Sequence, residues 1–266
     1  MAMRFCVLGS GSSGNAALLQ TEGANVLIDA GFSGRKLRQL LHDAGTRFEA
    51  LDAVFLTHEH GDHTAGIDAL KKHPKIAVFA NEATARAVQM KLKHRPAWQI
   101  FQTGSRFQFR DLEIDAFAVP HDAQEPVGFT FAAGRIDDLF APRRAIAWLT
   151  DLGHVPTAVQ ERLREVDAVV VESNHCTRML EADIKRPWST KQRISGRHGH
   201  LSNDGLREVL EAIASPRWRH IVLTHLSRDC NSLDAVEQSI TPLRLRLNCQ
   251  FSIVAPGGGL PFLDLA

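Results

Sequence analysis

The sequence predicts an α/β layered protein, and three observations carry that expectation. Short runs rich in β-branched and aromatic residues recur from one end to the other, helical patterns interleave with them, and neither a low-complexity linker nor an internal repeat divides the chain. With 266 residues, 44% of them hydrophobic, one large core can be buried, so a single domain over residues 1–266 is expected.

Taken in order, the first strand is expected over Met3 to Leu8. The loop after it, Gly9-Ser10-Gly11-Ser12-Ser13-Gly14, has the spacing of a dinucleotide-binding turn, but no helix follows. Instead Ala16 to Leu19 and Val26 to Asp29 flank a turn at Thr21 to Asn25, which reads as a hairpin and disfavours a nucleotide cofactor. Such a Ser/Gly loop could instead offer backbone amides to a phosphate, which makes Ser10, Ser12, Ser13 and Asn15 candidate substrate contacts. Helices are expected over Gly34 to Asp43, His63 to Lys72 and Glu82 to Lys91, with strands over Leu51 to Leu56 and Ile76 to Phe79. Further strands are expected over Phe107 to Phe109, Leu112 to Val119, Val127 to Phe131 and Ala145 to Leu149. Beyond them come a helix at Thr157 to Arg164, a strand at Ala168 to Val171, a helix at Asn203 to Ala214 and a strand at Ile221 to Leu223. A helix at Leu233 to Leu245 and a strand at Gln250 to Val254 complete the order.

Chemistry concentrates in Thr57-His58-Glu59-His60-Gly61-Asp62-His63, just past the strand at Leu51 to Leu56. Imidazole nitrogens and carboxylate oxygens are the donors that zinc, manganese and iron accept, and this density of them is a metal-site signature. His58 and His60, two apart in extended chain, project to one side; Gly61 permits a turn, and Asp62 and His63 open a helix. Two donor pairs then enter one space from two directions, which suits two ions better than one. The spacing differs from the HExxH of zinc proteases, whose histidines lie four apart on a helix. Further polar donors end other apolar runs: His121 after Leu112 to Val119, Asp151 after Ala145 to Thr150, and His225 after Ile221 to Thr224.

The ordered strings THEHGDH, VPHDA, LTDLG and LTHLS resemble the metallo-β-lactamase fold superfamily of metal hydrolases over nearly the whole chain. That resemblance implies an αββα sandwich, with one metal on His58, His60 and His121, a second on Asp62, His63 and His225, and Asp151 bridging them. The strings VLGSGSSGNAALL, VVESNHCTRML, GRHGHLSND and THLSRDCNS are similar to the YycJ/WalJ-like group, regarded as nucleases or exonucleases related to ribonuclease Z. Arg228-Asp229-Cys230-Asn231 departs from that group's acidic and Asn-rich tail. Two divalent ions in such a site, zinc or manganese with iron as an alternative, would share a water that deprotonates near neutral pH and attacks phosphorus. Asp62 could hold that nucleophile in line. The resemblance to ribonuclease Z further implies that Glu172 and His200 form an acid pair, with His175 and His198 as competitors for the imidazole role.

Net charge is only +1, so there is no global footprint of a nucleic-acid binder. A local stretch compensates: Arg178, Lys185, Arg186, Trp188, Lys191, Arg193 and Arg197 interleave cations with an aromatic ring ahead of His200. Such a stretch could track a phosphate backbone and stack a base, with Lys191, Arg193 and Arg197 as the candidate contacts. The expected function is a dinuclear metal-dependent phosphodiesterase or exonuclease on nucleic acid, DNA in preference to RNA. The alternative is a small-molecule metallo-hydrolase of lactones, thioesters, β-lactams or cyclic phosphodiesters. No long inserted arm of the tRNA-processing kind is seen. Cys6, Cys176, Cys230 and Cys249 form no CxxC pair, and no transmembrane run or leader is seen, so a cytoplasmic protein without membrane partners is expected, with a homodimer compatible.

Overall fold

The computed structural model describes residues 3–134 and 142–265. In the first half, β1 (Arg4–Gly9), β2 (Ala16–Gln20), β3 (Asn25–Ile28), α1 (Gly34–Asp43), β4 (Ala53–Phe55), α2 (Gly61–Thr64), β5 (Ala77–Ala80), α3 (Glu82–Gln89) and β6 (Ala97–Ile100) follow one another. Next come β7 (Arg106–Phe109), β8 (Leu112–Ala118), β9 (Val127–Ala133), β10 (Arg144–Leu149), α4 (Thr157–Arg164) and β11 (Ala168–Glu172). The chain ends with α5 (Thr177–Ala182), α6 (Trp188–Ser195), α7 (Asn203–Ile213), β12 (His220–Thr224), α8 (Leu233–Arg246), β13 (Gln250–Ile253) and β14 (Leu260–Asp264). They make two seven-stranded sheets, ordered β14-β1-β2-β3-β4-β5-β6 and β13-β12-β11-β10-β9-β8-β7.

Alternation along the strands explains the layering, since successive side chains leave a strand on opposite faces. Phe5 and Val7 of β1 point into the layer between the sheets, where they meet Phe55, Phe129, Phe131, Ala168 and Val170. Cys6 and Leu8 point the other way, onto Leu37 and Leu41 of α1. On the second sheet, Val169 and Val171 face outward against Val159, Leu206 and Ile240 of α4, α7 and α8. Both sheets are thus covered on both faces, the αββα sandwich.

Two parallel blocks position the functional residues: β3-β4-β5-β6 in the first sheet and β10-β11-β12-β13 in the second. Loops at the carboxyl ends of such blocks form the crevice where ligands bind in α/β proteins. Three of the strand ends bend sharply, with Asp29 after β3 at φ 57°, Asp151 after β10 at φ 55° and His225 after β12 at φ 54°. Left-handed backbone at non-glycine residues costs of order 1 kcal/mol each and is tolerated best by Asp, Asn and His.

One expected element needs correction, and others are added. The helix foreseen over His63 to Lys72 is instead a single turn, α2, followed by a 3₁₀ stretch at Ile67–Lys72. The break comes at Gly66, whose amide is pulled onto the Ala30 carbonyl at 2.7 Å. Strands β6 and β14 are additions; both are sheet edges, half-exposed, and Pro261 is tolerated in β14 because an edge strand has one unpaired side. Helices α5 and α6, for which no element was expected, run through the basic stretch. The hairpin after the Gly/Ser loop is present as the antiparallel β2–β3 pair. Among the described residues, no helix is long and apolar enough to cross a membrane.

Close approach of backbones fixes the crevice floor. Asn15 donates its amide to the Asp62 carbonyl at 2.8 Å, and Gly31 donates to the Asn15 carbonyl at 2.8 Å. A Cβ on Gly31 would lie 1.6 Å from the Asp62 carbonyl oxygen, so no side chain fits. Gly31→Ala should therefore cost roughly 3 kcal/mol or more and lower the thermal midpoint by ~6–12 °C, read by differential scanning calorimetry. An unchanged midpoint would show that these loops yield at little cost.

Candidate metal centre

The residues expected to bind metal come together at the rim from both sheets. His58, His60 and His121 present ring nitrogens within 4.8 Å of one another, and an Asp62 carboxylate oxygen lies equally close to ring nitrogens of His63 and His225. Asp151 lies between the two sets: its carboxylate is 3.1 Å from His63 Nε2, 3.5 Å from His225 Nδ1 and 3.9 Å from His121 Nε2. His58 to His63 come from the first sheet, whereas His121, Asp151 and His225 come from the second.

Four of the five rings, those of His58, His63, His121 and His225, are held from behind. His63 Nδ1 is 2.7 Å from Asp29 Oδ2, His121 Nδ1 is 3.0 Å from the Gly199 carbonyl, and His225 Nδ1 is 3.2 Å from Glu172 Oε2. His58 Nδ1 is 3.0 Å from Thr57 Oγ1, a hydroxyl that itself donates to Asp29 at 2.9 Å. When Nδ1 carries the proton and gives it to such an acceptor, Nε2 keeps a lone pair aimed inward, the arrangement found behind metal-bound histidines.

Electrostatics agree with a cation. Among the described residues, His58 Nε2 and His225 Nε2 are buried ring nitrogens without a hydrogen-bond partner. Buried polar atoms are ordinarily satisfied, so two such nitrogens facing the Asp151 carboxylate fit the donor set of a cation. Burial lowers the pKa of His225, but the Asp151, Asp62 and Glu172 carboxylates outweigh it and push the imidazole up to about 10. Burial likewise works against a charge on His63, yet Asp29 and Asp151 hold it well above the usual imidazole range. Buried imidazoles that demand protons here are answering an excess of carboxylate charge, which divalent ions would neutralise in their place. The donor set, all nitrogen and oxygen, fits zinc, manganese or iron.

Glu172 is fully buried at the end of β11 and has no oxygen to spare. Oε1 accepts from the amides of Leu152 and Leu201 at 2.7 and 2.9 Å, while Oε2 lies 3.0 Å from His200 Nδ1. Burial pushes its pKa up, but His200 and His225 bring it down to about 2. Glu172 in turn raises the pKa of His200 against the effect of burial. Of the competing imidazoles, His175 is buried and driven down to about 4, so it is neutral.

A cavity of about 190 Å³ opens above these groups, lined by His60, Asp62, His121, Asp151, His200 and His225 together with Ser12, Asn174, Arg186 and Arg193. Of the expected substrate contacts, Ser12 and Arg193 line it. Ser10 and Asn15 are buried and work as braces: Ser10 Oγ accepts the His225 amide at 2.8 Å, and Asn15 Oδ1 accepts the Gly11 amide at 2.9 Å. Ser13 accepts from Arg228 at 3.1 Å, Lys191 reaches the Glu181 carbonyl at 2.7 Å, and Arg197 offers its carbonyl to His154. None of these three lines the cavity. Asp29, Thr57, Asp122 and Asn174 were not singled out from the sequence. Asp29 ends a strand as His58 and Asp151 nearly do, and that position was its signal; Asp122 pairs with Arg193 and lies 3.3 Å from His121 Nε2.

Residues 24–226 match the family model described as beta-lactamase superfamily domain. The chain is 33% identical over 243 residues to exodeoxyribonuclease YycJ of Bacillus anthracis, covering 91% of this chain and 89% of that one. It is 34% identical over 240 residues to exodeoxyribonuclease WalJ of Streptococcus pneumoniae, covering 87% and 84%. Among solved structures it is similar to zinc-bound PqqB from Methylobacterium extorquens, at TM-score 0.71 and 17% identity over 98% of this chain and all of that one, a likeness of fold.

His60→Ala and Asp151→Ala proteins should each hold less zinc or manganese than the parent by elemental analysis. Because His63 and His225 must release protons to accept a cation, and the His225 imidazole is pushed up to about 10, uptake should strengthen as pH rises towards that value. Full metal content in both variants would remove these residues from the coordination set.

Proposed function

This chain belongs to the beta-lactamase superfamily, and from that premise we propose that it is a dinuclear metal-dependent phosphodiesterase that shortens DNA from an end. The observation that carries the reading is the Glu172–His200 pair set beside two donor sets at the floor of an arginine-edged cavity. Bound divalent ions would acidify a water and offset the charge that builds on phosphoryl oxygens. The ions would sit on His58, His60 and His121 and on Asp62, His63 and His225, with Asp151 shared.

The chain's own groups supply the rest. His200 Nδ1 donates to Glu172, which leaves Nε2 for the cavity, and the carboxylate keeps the ring protonated. From there His200 delivers its proton to the departing sugar oxygen, a task that needs an imidazolium at neutral pH. Asp62, at the cavity wall, holds the attacking water in line. Arg186 and Arg193 take the phosphates on either side of the scissile bond, and the Gly/Ser loop presents Ser12 to the same phosphates. Exodeoxyribonuclease names on two relatives that this chain matches over most of its length support DNA over RNA.

The small-molecule alternative is less well supported. Lactone and thioester hydrolases need an apolar pocket for the acyl group, and here the cavity's aliphatic lining is confined to Ile194 and Leu226.

Incubating the purified protein and Mn²⁺ or Zn²⁺ with end-labelled DNA, end-labelled RNA and a generic lactone tests the proposal. A ladder shortening from one DNA end is expected, and turnover of the lactone with intact DNA would overturn the reading. His200→Ala should retain its metals by elemental analysis yet cleave ~100-fold or more slowly, the usual size of a general-acid effect. Parental rates in that variant would take His200 out of the reaction.

A further inference from the structure

Helix α6 buries none of its residues, which is unusual for a helix eight residues long in a layered protein. Its first residue, Trp188, is 66% exposed, and Ile184, four residues earlier, is 97% exposed. Large apolar side chains so placed leave apolar surface in water that nothing among the described residues covers. Yet the helix is anchored where it matters: Arg193 and Ile194 line the cavity, and the Ile194 carbonyl accepts the His200 amide at 2.8 Å. An exposed apolar platform and the proton-donating histidine are therefore joined by one short helix.

Charge narrows the choice of what covers the platform. Residues 178–197 hold six Lys/Arg against two acidic residues, a local +4 in a chain whose total is +1, so everything else sums to −3. Arg186 pairs with Asp183 and Asp229, and Arg193 pairs with Asp122. The Arg186–Asp229 and Arg193–Asp122 pairs are partly exposed, and solvent-screened pairs of this kind are weak enough to be exchanged for phosphate, while the sheltered Asp183 carboxylate keeps Arg186 in place. Cations beside an aromatic face are the elements of a single-strand binding surface, where bases stack and phosphates pair. The cavity, at about 190 Å³, has no room for a base pair.

We infer that Trp188 is the stacking platform for an unpaired base of the strand whose phosphodiester enters the cavity. This rests on the reading of the chain as a nuclease and adds a specificity residue to it. The strand end must be unpaired where it passes α6, whether it arrives single-stranded or is peeled from a duplex.

Binding of a short phosphorothioate-linked, fluorescein-labelled strand, followed by anisotropy, tests the inference apart from cleavage. Trp188→Ala should weaken binding ~10-fold and Trp188→Phe far less, with thermal midpoints little changed because the side chain is mostly exposed. Strands carrying one abasic residue at successive positions should reveal one position where the lost base costs the parent protein ~10-fold and the Trp188→Ala protein nothing further. Equal binding by parent and Trp188→Ala proteins would overturn the inference. So would a fall in solution mass in Trp188→Ala with strand binding unchanged, which would identify a second copy of this chain as the occupant. Failure of the parent protein to cut any DNA strikes the nuclease reading alone, since the binding measurement stands without it.

Discussion

The centre depends on one constraint: the inward-facing nitrogens of His58, His63, His121 and His225 are each aimed by a fixed acceptor behind the ring. Asp29 does most of this. Its carboxylate takes the His63 Nδ1 proton and the Thr57 hydroxyl and amide, and the same hydroxyl stands behind His58. Glu172 and the Gly199 carbonyl do the equivalent for His225 and His121. Without these acceptors the rings would be free to rotate or change tautomer, and the donor sets would lose their geometry.

The same acceptors tie the chemistry to the architecture. Asp29 is placed by β3 and Glu172 by β11, so one sheet orients His58 and His63 while the other orients His200 and His225. Glu172 serves two masters: through Oε2 it faces both a proposed metal ligand and the proposed proton donor, and through Oε1 it pins the amides that follow Asp151 and His200. A shift of β11 against its neighbours would disturb both functions at once.

Much of this was legible in the sequence because each donor stands at the end of an apolar run, and parallel strands bring such ends to one rim. His58, His60, His121, Asp151 and His225 all obey that rule. The braces did not announce themselves. Ser10 and Asn15 belong to a Gly/Ser loop whose composition suggests exposure, and only tertiary packing buries them against His225 and Gly11. Gly199 acts through its carbonyl, which no side-chain reading detects. Helix α6 was missed for a physical reason as well: a helix that buries nothing has no 3.6-residue apolar period to find. Strands β6 and β14 escaped because edge strands, half-exposed, need little apolar patterning.

The left-handed bends at Asp29, Asp151 and His225 carry a consequence for how this centre can change over time. A replacement at any of the three must satisfy two tests together, offering a suitable donor and tolerating a positive φ that β-branched and bulky residues resist. Glutamate, chemically near to aspartate, is less at ease in that conformation, and cysteine brings a different donor. The repertoire open to mutation is thereby narrowed to a few short polar side chains, so the loops between these corners can drift in sequence while the corners themselves stay put.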